Sequence, residues 1–273
     1  MVTQEQRKRQ LAREKFLRQQ QRRTSARRKA RMRNTVIASV LGVVVIGSVA
    51  LYTTGVLKND DDKKADASSQ TTPSAAPSAP KDPCEKPAAG SVKTQSWKKE
   101  PALTVDKSAK YTMTLSTTCG DIGIALKAKA APHTVNSFDF LAGKGFFDHT
   151  KCHRLTTNQI YVLQCGDPTG SGSGGPGYTI PDENLKDAGL KANVYPAGTV
   201  AMANTGQAHS GGSQFFLVYQ DSPLPPSYTP FGTLSADGMK VLKKIAAAGE
   251  NTGAGDGAPN ATVVINKATV TKS

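Results

Sequence analysis

The chain has 273 residues, enough for one or two domains and a sizeable buried core. Its formal charge of +14 would suit a nucleic-acid partner if it were spread over a folded surface. Residues 1–33 instead hold thirteen Lys and Arg against Glu5 and Glu14, leaving only +3 for the other 240 residues, so no nucleic-acid partner is expected.

The first element in chain order is therefore a basic tail, residues 1–34. It reads as a topogenic segment lying against anionic lipid, where each Lys or Arg near the surface contributes about 1 kcal/mol. Thr35 to Leu57 then run without a charge, through Val43-Val44-Val45-Ile46 and Val49-Ala50-Leu51. About 20 apolar residues cross a bilayer as a helix, so a transmembrane helix is expected over 35–57. A cleaved signal peptide has a shorter basic region and a shorter apolar stretch than these. The cationic bias before the span, with Asp60-Asp61-Asp62 after it, places the N-terminus in the cytoplasm and the rest outside, as a single-pass protein of the cell membrane. Residues 58–96 read as a disordered tether, rich in Ser, Ala and Pro from Ser68 to Pro80 and with almost nothing to bury.

A folded domain is expected over 97–273. Tyr111, Met113 and Leu115 alternate on one strand and Ile122, Ile124 and Leu126 on the next, with a hairpin through Thr118-Cys119-Gly120-Asp121. Pro132 suits a first helical turn, and Val135, Phe138, Leu141 and Ala142 follow at helical spacing until Gly143 and Gly145. A second helix is predicted from Asp237 to Gly249, with Met239, Leu242, Ile245 and Ala246 inward. Strand-like runs occur at Tyr161–Gln164, Thr199–Ala203, Gln214–Tyr219 and Thr262–Ile265. Many short strands with two helices point to a mainly β fold, a closed antiparallel barrel.

Two separated stretches carry the chemistry. Lys151-Cys152-His153-Arg154-Leu155 leads to Leu163-Gln164-Cys165-Gly166-Asp167-Pro168, and Met202-Ala203-Asn204 leads to Gly212-Ser213-Gln214-Phe215-Phe216. They set one arginine beside amides and aromatics, and no base and orienting partner can be assigned to make a Cys/His nucleophile, so the set can grip and polarise an amide but not attack it. With Gly170 to Gly177 and Tyr178, Pro181-Asp182-Glu183 and Phe231-Gly232 in the same order, the region from Tyr111 to Ser273 resembles the cyclophilins, the peptidyl-prolyl cis/trans isomerases. The resemblance implies an eight-stranded barrel with a helix over each open end. It also implies acceleration of X-Pro bond rotation in proline-containing polypeptides, without a cofactor.

Rotation about a peptide bond faces a barrier of about 18–20 kcal/mol. A 10⁵-fold acceleration requires lowering it by roughly 7 kcal/mol. In the twisted transition state the imide nitrogen becomes pyramidal and can accept a hydrogen bond, so a fixed donor beside an apolar wall favours that state over either planar isomer. Arg154 is the expected catalytic donor, because its guanidinium is always charged and presents a rigid fork of N–H groups. Taken alone it would read as a strand arginine in a surface ion pair. The cyclophilin pattern further implies that Gln164 orients the arginine and that Ala203 and Asn204 hold peptide backbone. Gln214 lies beside them, and Tyr161, Val162, Phe216 and Leu224 form the proline pocket. His153 and Tyr228 complete the expected substrate-binding set, Tyr228 standing where many cyclophilins carry a histidine. The rival function is a non-catalytic chaperone or adaptor that binds proline peptides in the same groove.

No metal site is expected, since the four His and four Cys lack paired ligand spacing. Gly170 to Gly177 reads as a flexible loop beside the groove, because no Lys-Ser/Thr follows its last glycine as in a phosphate loop. Cys84, Cys119, Cys152 and Cys165 admit three disulfide pairings. Cys152 and Cys165 are close across a hairpin, yet alternation from Arg154 and Gln164 would put them on opposite faces, so the connectivity stays open.

Overall fold

The computed structural model describes residues 82–191 and 193–273. The basic tail over 1–34, the uncharged stretch over 35–57 and the tether as far as residue 81 lie outside the described residues. No helix among the described residues is long and apolar enough to cross a membrane.

Alternation builds the first hairpin. β1 (Tyr111–Thr117) and β2 (Gly120–Leu126) pair antiparallel with Thr117 opposite Gly120, so the turn is Thr118 and Cys119 alone. The six alternating apolar residues of the two strands are all buried. In α1 (Pro132–Gly143) the proline occupies the first turn. Next to it the Glu183 carboxylate accepts from the backbone N–H of His133 (3.0 Å) and of Thr134 (2.9 Å), two donors that a helix leaves unpaired at its start. In α2 (Ala236–Ala247) that role falls to Ser235, whose Oγ accepts from the Gly238 N–H at 3.0 Å. Leu242 and Ile245 face inward, while Met239 and Ala246 pack at the edge of the core.

The remaining strands are β3 (Thr150–Lys151), β4 (Arg154–Thr156), β5 (Val162–Cys165), β6 (Val194–Tyr195), β7 (Thr199–Met202), β8 (Phe215–Val218), β9 (Ser222–Pro223), β10 (Pro230–Leu234), β11 (Asp256–Gly257) and β12 (Val264–Lys272). Ten of the described strands form one curled antiparallel sheet in the order β11-β4-β5-β8-β7-β10-β2-β1-β12-β3, and β6 pairs with β9 apart from it. The expected closed barrel of eight strands is thus realised as a ladder with two ends. Its break lies at Cys152 and His153, where the chain leaves its pairing with β12 and joins β5 without a continuous strand, so β3 and β4 do not pair with each other. α1 packs against β12 and α2 against β2. Phe138 of α1 reaches the centre of the core, its ring 4.5 Å from Phe231, 5.2 Å from Phe147 and 5.4 Å from Phe215.

From Asp82 the chain is fixed to the domain, within the range expected as tether. A disulfide joins Cys84 to Cys119, the Asp82 carboxylate accepts from Thr262 N–H, and Ala88 N–H donates to Asn266 Oδ1. Further on, the buried Asn136 of α1 accepts from Thr104 N–H (2.8 Å) and Val105 N–H (3.2 Å) and donates to the Ala102 carbonyl (3.0 Å). Residues 82–110 form a strap whose start is tied to the β1–β2 turn and β12 and whose later part, from Trp97 to Val105, lies against α1. The second disulfide joins Cys152 to Cys165. Alternation did not forbid it, because Cys152 lies outside any strand and donates its N–H to Val263 rather than extending β4.

Candidate active site

Register places the site on one face of the sheet. Arg154 lies opposite Gln164, Gln164 opposite Phe216, and Phe216 opposite Ala201, so these four side chains share a face across β4, β5, β8 and β7. The alternate residues Leu155, Leu163, Leu217 and Val200 go to the main core.

The guanidinium of Arg154 is held on two sides. Its Nε and Nη2 donate to the two carboxylate oxygens of Asp256 at 2.7 and 2.8 Å, and its Nη1 donates to Gln164 Oε1 at 3.2 Å. Three of the five N–H groups of the fork are thereby used, and the other two have no partner among the described residues. The hydrogen bonds it donates to Asp256 hold the guanidinium pKa above its ordinary value, against the opposing effect of burial. Gln164 passes the orientation on: its Nε2 donates to Gln214 Oε1 (2.8 Å), whose own Nε2 donates to the Gly174 carbonyl (2.9 Å). Asp256 was not found from the sequence. It is 102 residues from Arg154, in a two-residue strand whose pairing with β4 sets Asp256 opposite Thr156.

Beside the arginine is a small apolar cluster separate from the main core. Val162, Ala201, Phe216 and Val218 are buried in it, and Ala203, Leu224 and Tyr228 pack half-buried around them. Tyr195, which the sequence did not single out, backs this notch. Its hydroxyl donates to the Tyr228 carbonyl (2.7 Å) and accepts from the Tyr228 N–H (3.1 Å), and burial pushes its pKa up to about 12. The Phe216 and Tyr228 rings meet edge to face at 5.5 Å.

Two expected residues stand apart. Tyr161 packs edge-on against Tyr219 at 5.8 Å and is not part of the Phe216 cluster. His153 lies beneath the glycine loop, both ring nitrogens covered and without a hydrogen-bond partner, so the ring does not open onto the groove. Burial lowers its pKa, the nearby Asp167 carboxylate acting against this and Arg154 with it.

A groove of about 980 Å³ adjoins the notch, lined by Gln164, Gln214, Ala203, Asn204 and the glycine loop. Asn204 is fixed by its own side chain, with Nδ2 donating to Ser227 O (2.8 Å) and Oδ1 accepting from Gly206 N–H (3.0 Å). The Ala203 N–H is already used on the Gln214 carbonyl, so of the main-chain groups expected to hold a peptide, the Ala203 C=O and the N–H and C=O of Asn204 remain without a partner among the described residues. The glycine loop, expected to be flexible, is joined by hydrogen bonds at both ends. Buried Asp167 accepts from Thr169 N–H and Oγ1 and from Gly172 N–H, and these bonds outweigh the upward push of burial, keeping its carboxyl below the usual range. At the loop's far end Trp97 N–H donates to the Pro176 carbonyl (2.8 Å). Among the described residues no group of three or more His, Cys, Asp or Glu is placed to hold a metal ion.

Comparison with known proteins agrees with this geometry. Residues 112–270 match the family described as cyclophilin type peptidyl-prolyl cis-trans isomerase. A probable peptidyl-prolyl cis-trans isomerase B of Mycobacterium leprae is 49% identical over 191 residues, covering 67% of this chain and 60% of the relative. One of the same name from Mycobacterium tuberculosis is 49% identical over 166 residues, covering 58% of this chain and 53% of the relative. The chain thus spans no more than about three fifths of these relatives. A crystal structure of a cyclophilin type isomerase from Cryptosporidium parvum is 25% identical, superposes with a TM-score of 0.50, and covers 60% of this chain and 99% of its own.

Proposed function

The chain belongs to the cyclophilin-type peptidyl-prolyl cis-trans isomerase family, and from that premise we propose that it accelerates rotation about X-Pro bonds in polypeptides. The observation that carries this is the Arg154 fork, oriented by Asp256 and Gln164 with two N–H groups open, next to the apolar notch around Phe216. The notch would immobilise the pyrrolidine ring. As the bond twists and its nitrogen gains a lone pair, an open N–H of Arg154 would donate to it, an interaction absent in either planar isomer. The Ala203 carbonyl and Asn204 N–H would anchor the flanking backbone. No proton is transferred, so a tyrosine at 228 serves as well as a titrating side chain.

The test is isomerisation of a proline tetrapeptide by the full-length chain. Arg154→Ala should reduce kcat/KM by about 10²- to 10³-fold, the usual effect of removing one transition-state donor. Full activity in the variant would reassign the donor, and peptide binding without rate enhancement would favour the chaperone or adaptor reading.

The location follows from composition. The uncharged run over 35–57 behind a tail of thirteen cations supports anchoring in the cytoplasmic membrane, the tail against anionic lipid and the isomerase domain outside, acting on exported polypeptides.

A further inference from the structure

Among the described residues only three of the side chains lining the 980 Å³ groove are charged, Lys98, Lys99 and Glu100. All three belong to the strap, upstream of the family match that begins at residue 112. The groove floor, by contrast, is neutral, made of glycines and of the amides of Gln164, Gln214 and Asn204.

The backbone that carries the two lysines is fixed. Trp97 immediately before them bonds to Pro176 and sets its indole edge-on to Phe140 at 5.1 Å. Gly177, at φ +86°, lies so close beneath that a Cβ there would fall 2.8 Å from the Trp97 carbonyl oxygen. The lysine side chains themselves are exposed and take part in no ion pair among the described residues. Glu100, whose carboxylate lies 3.3 Å from His133 Nδ1, offsets one of the two lysines, so the described lining side chains keep one positive charge in excess. Two ammonium groups on a fixed backbone thus line a groove whose one other charged side chain is Glu100, the remaining polar groups among its described lining being uncharged.

We infer that the strap makes this groove a charge-selecting subsite, in which Lys98 and Lys99 favour a proline-containing segment that carries an Asp or Glu outside the X-Pro pair. The inference rests on the isomerase reading above and names the substrate class of that same site. Charge complementarity at exposed pairs chiefly sets partner choice, and salt weakens it.

The experiment uses the full-length chain and peptide sets identical but for Glu, Gln or Lys at one position outside the X-Pro pair, each position varied in turn. Isomerisation is followed by NMR exchange. At one position or more, kcat/KM at low salt should favour Glu over Lys by about tenfold, the combined size of a few exposed charge interactions. In the double variant Lys98→Gln, Lys99→Gln, the Glu-to-Lys ratio should fall to within about twofold, and added salt should have the same effect on the original chain. The ratio is taken within each protein, so a change in overall rate cancels. Turnover of the Gln peptides without a Glu preference at any position overturns the inference and leaves the isomerase reading standing, and a preference that survives in the double variant removes it from these lysines. Failure to turn over any peptide overturns the isomerase reading and the inference together.

Discussion

Arg154 and Asp256 are 37% and 55% exposed, so water screens their pair and it adds little to stability. Its consequence is directional: two parallel bonds fix the plane of the guanidinium and therefore where its free N–H groups point. Asp256→Asn should keep the fold and shift Tm by no more than a degree or two, yet lower kcat by about tenfold with KM nearly unchanged, as loss of orientation felt only in the transition state does. Equal losses in kcat and Tm would mean that Asp256 holds the fold rather than the arginine. His153 makes a second case. Burial depresses its pKa below 6.5, so between the depressed value and the unfolded one the unfolded chain binds the extra proton, and stability falls as the pH is lowered through that window. A thermal-denaturation series from about pH 7 to about pH 5 should show a steeper fall in Tm for the original chain than for His153→Phe. Parallel curves would show that the imidazole takes its proton without cost.

Elements built by local pattern were legible, and those built by distant pairing were not. Period-two apolar alternation gave β1 and β2, and Pro132 with its apolar spacing gave α1, because in each the buried face is written in one continuous stretch. β12 runs from Val264 to Lys272, well past the expected Thr262–Ile265, since its outer half, Asn266, Lys267, Thr269, Thr271 and Lys272, is polar and becomes strand only through pairing with β1. The arginine, amides and apolar notch were likewise readable from motif order, whereas Asp256 and Tyr195 reach the site through pairings and loops that no local spacing records. Composition misled at 82–96, where a polar stretch is held by backbone hydrogen bonds and a disulfide that need little apolar surface. The two bridges should separate experimentally. Cys152–Cys165 joins the segments that carry Arg154 and Gln164, and Cys84–Cys119 fastens only the start of the strap. Each should contribute about 2–4 kcal/mol, so opening either should lower Tm by roughly 5–15 °C. Cys152→Ser with Cys165→Ser should also reduce kcat/KM severalfold, and Cys84→Ser with Cys119→Ser should not. If both pairs of variants lose activity alike, the bridges act through global stability alone.

For the whole chain, charge and covalent chemistry point the same way. Most of the net charge is confined to the first 33 residues, ahead of the uncharged run, and both cysteine pairs of the domain are oxidised. Disulfides of this kind persist in oxidising surroundings, which supports the proposed placement of the domain outside the cytoplasm. Two physical forces could hold such a protein at a membrane, and they respond differently to solvent. Attraction between the tail and anionic lipid, at about 1 kcal/mol per cation, is removed by molar salt. A bilayer-spanning apolar helix is indifferent to salt and is released by detergent. Membranes washed in high salt should therefore retain the chain, and protease added to intact cells should digest the domain while leaving the basic tail protected. Release by salt would assign the attachment to the tail alone, and protection of the domain would reverse the orientation read from the positive residues.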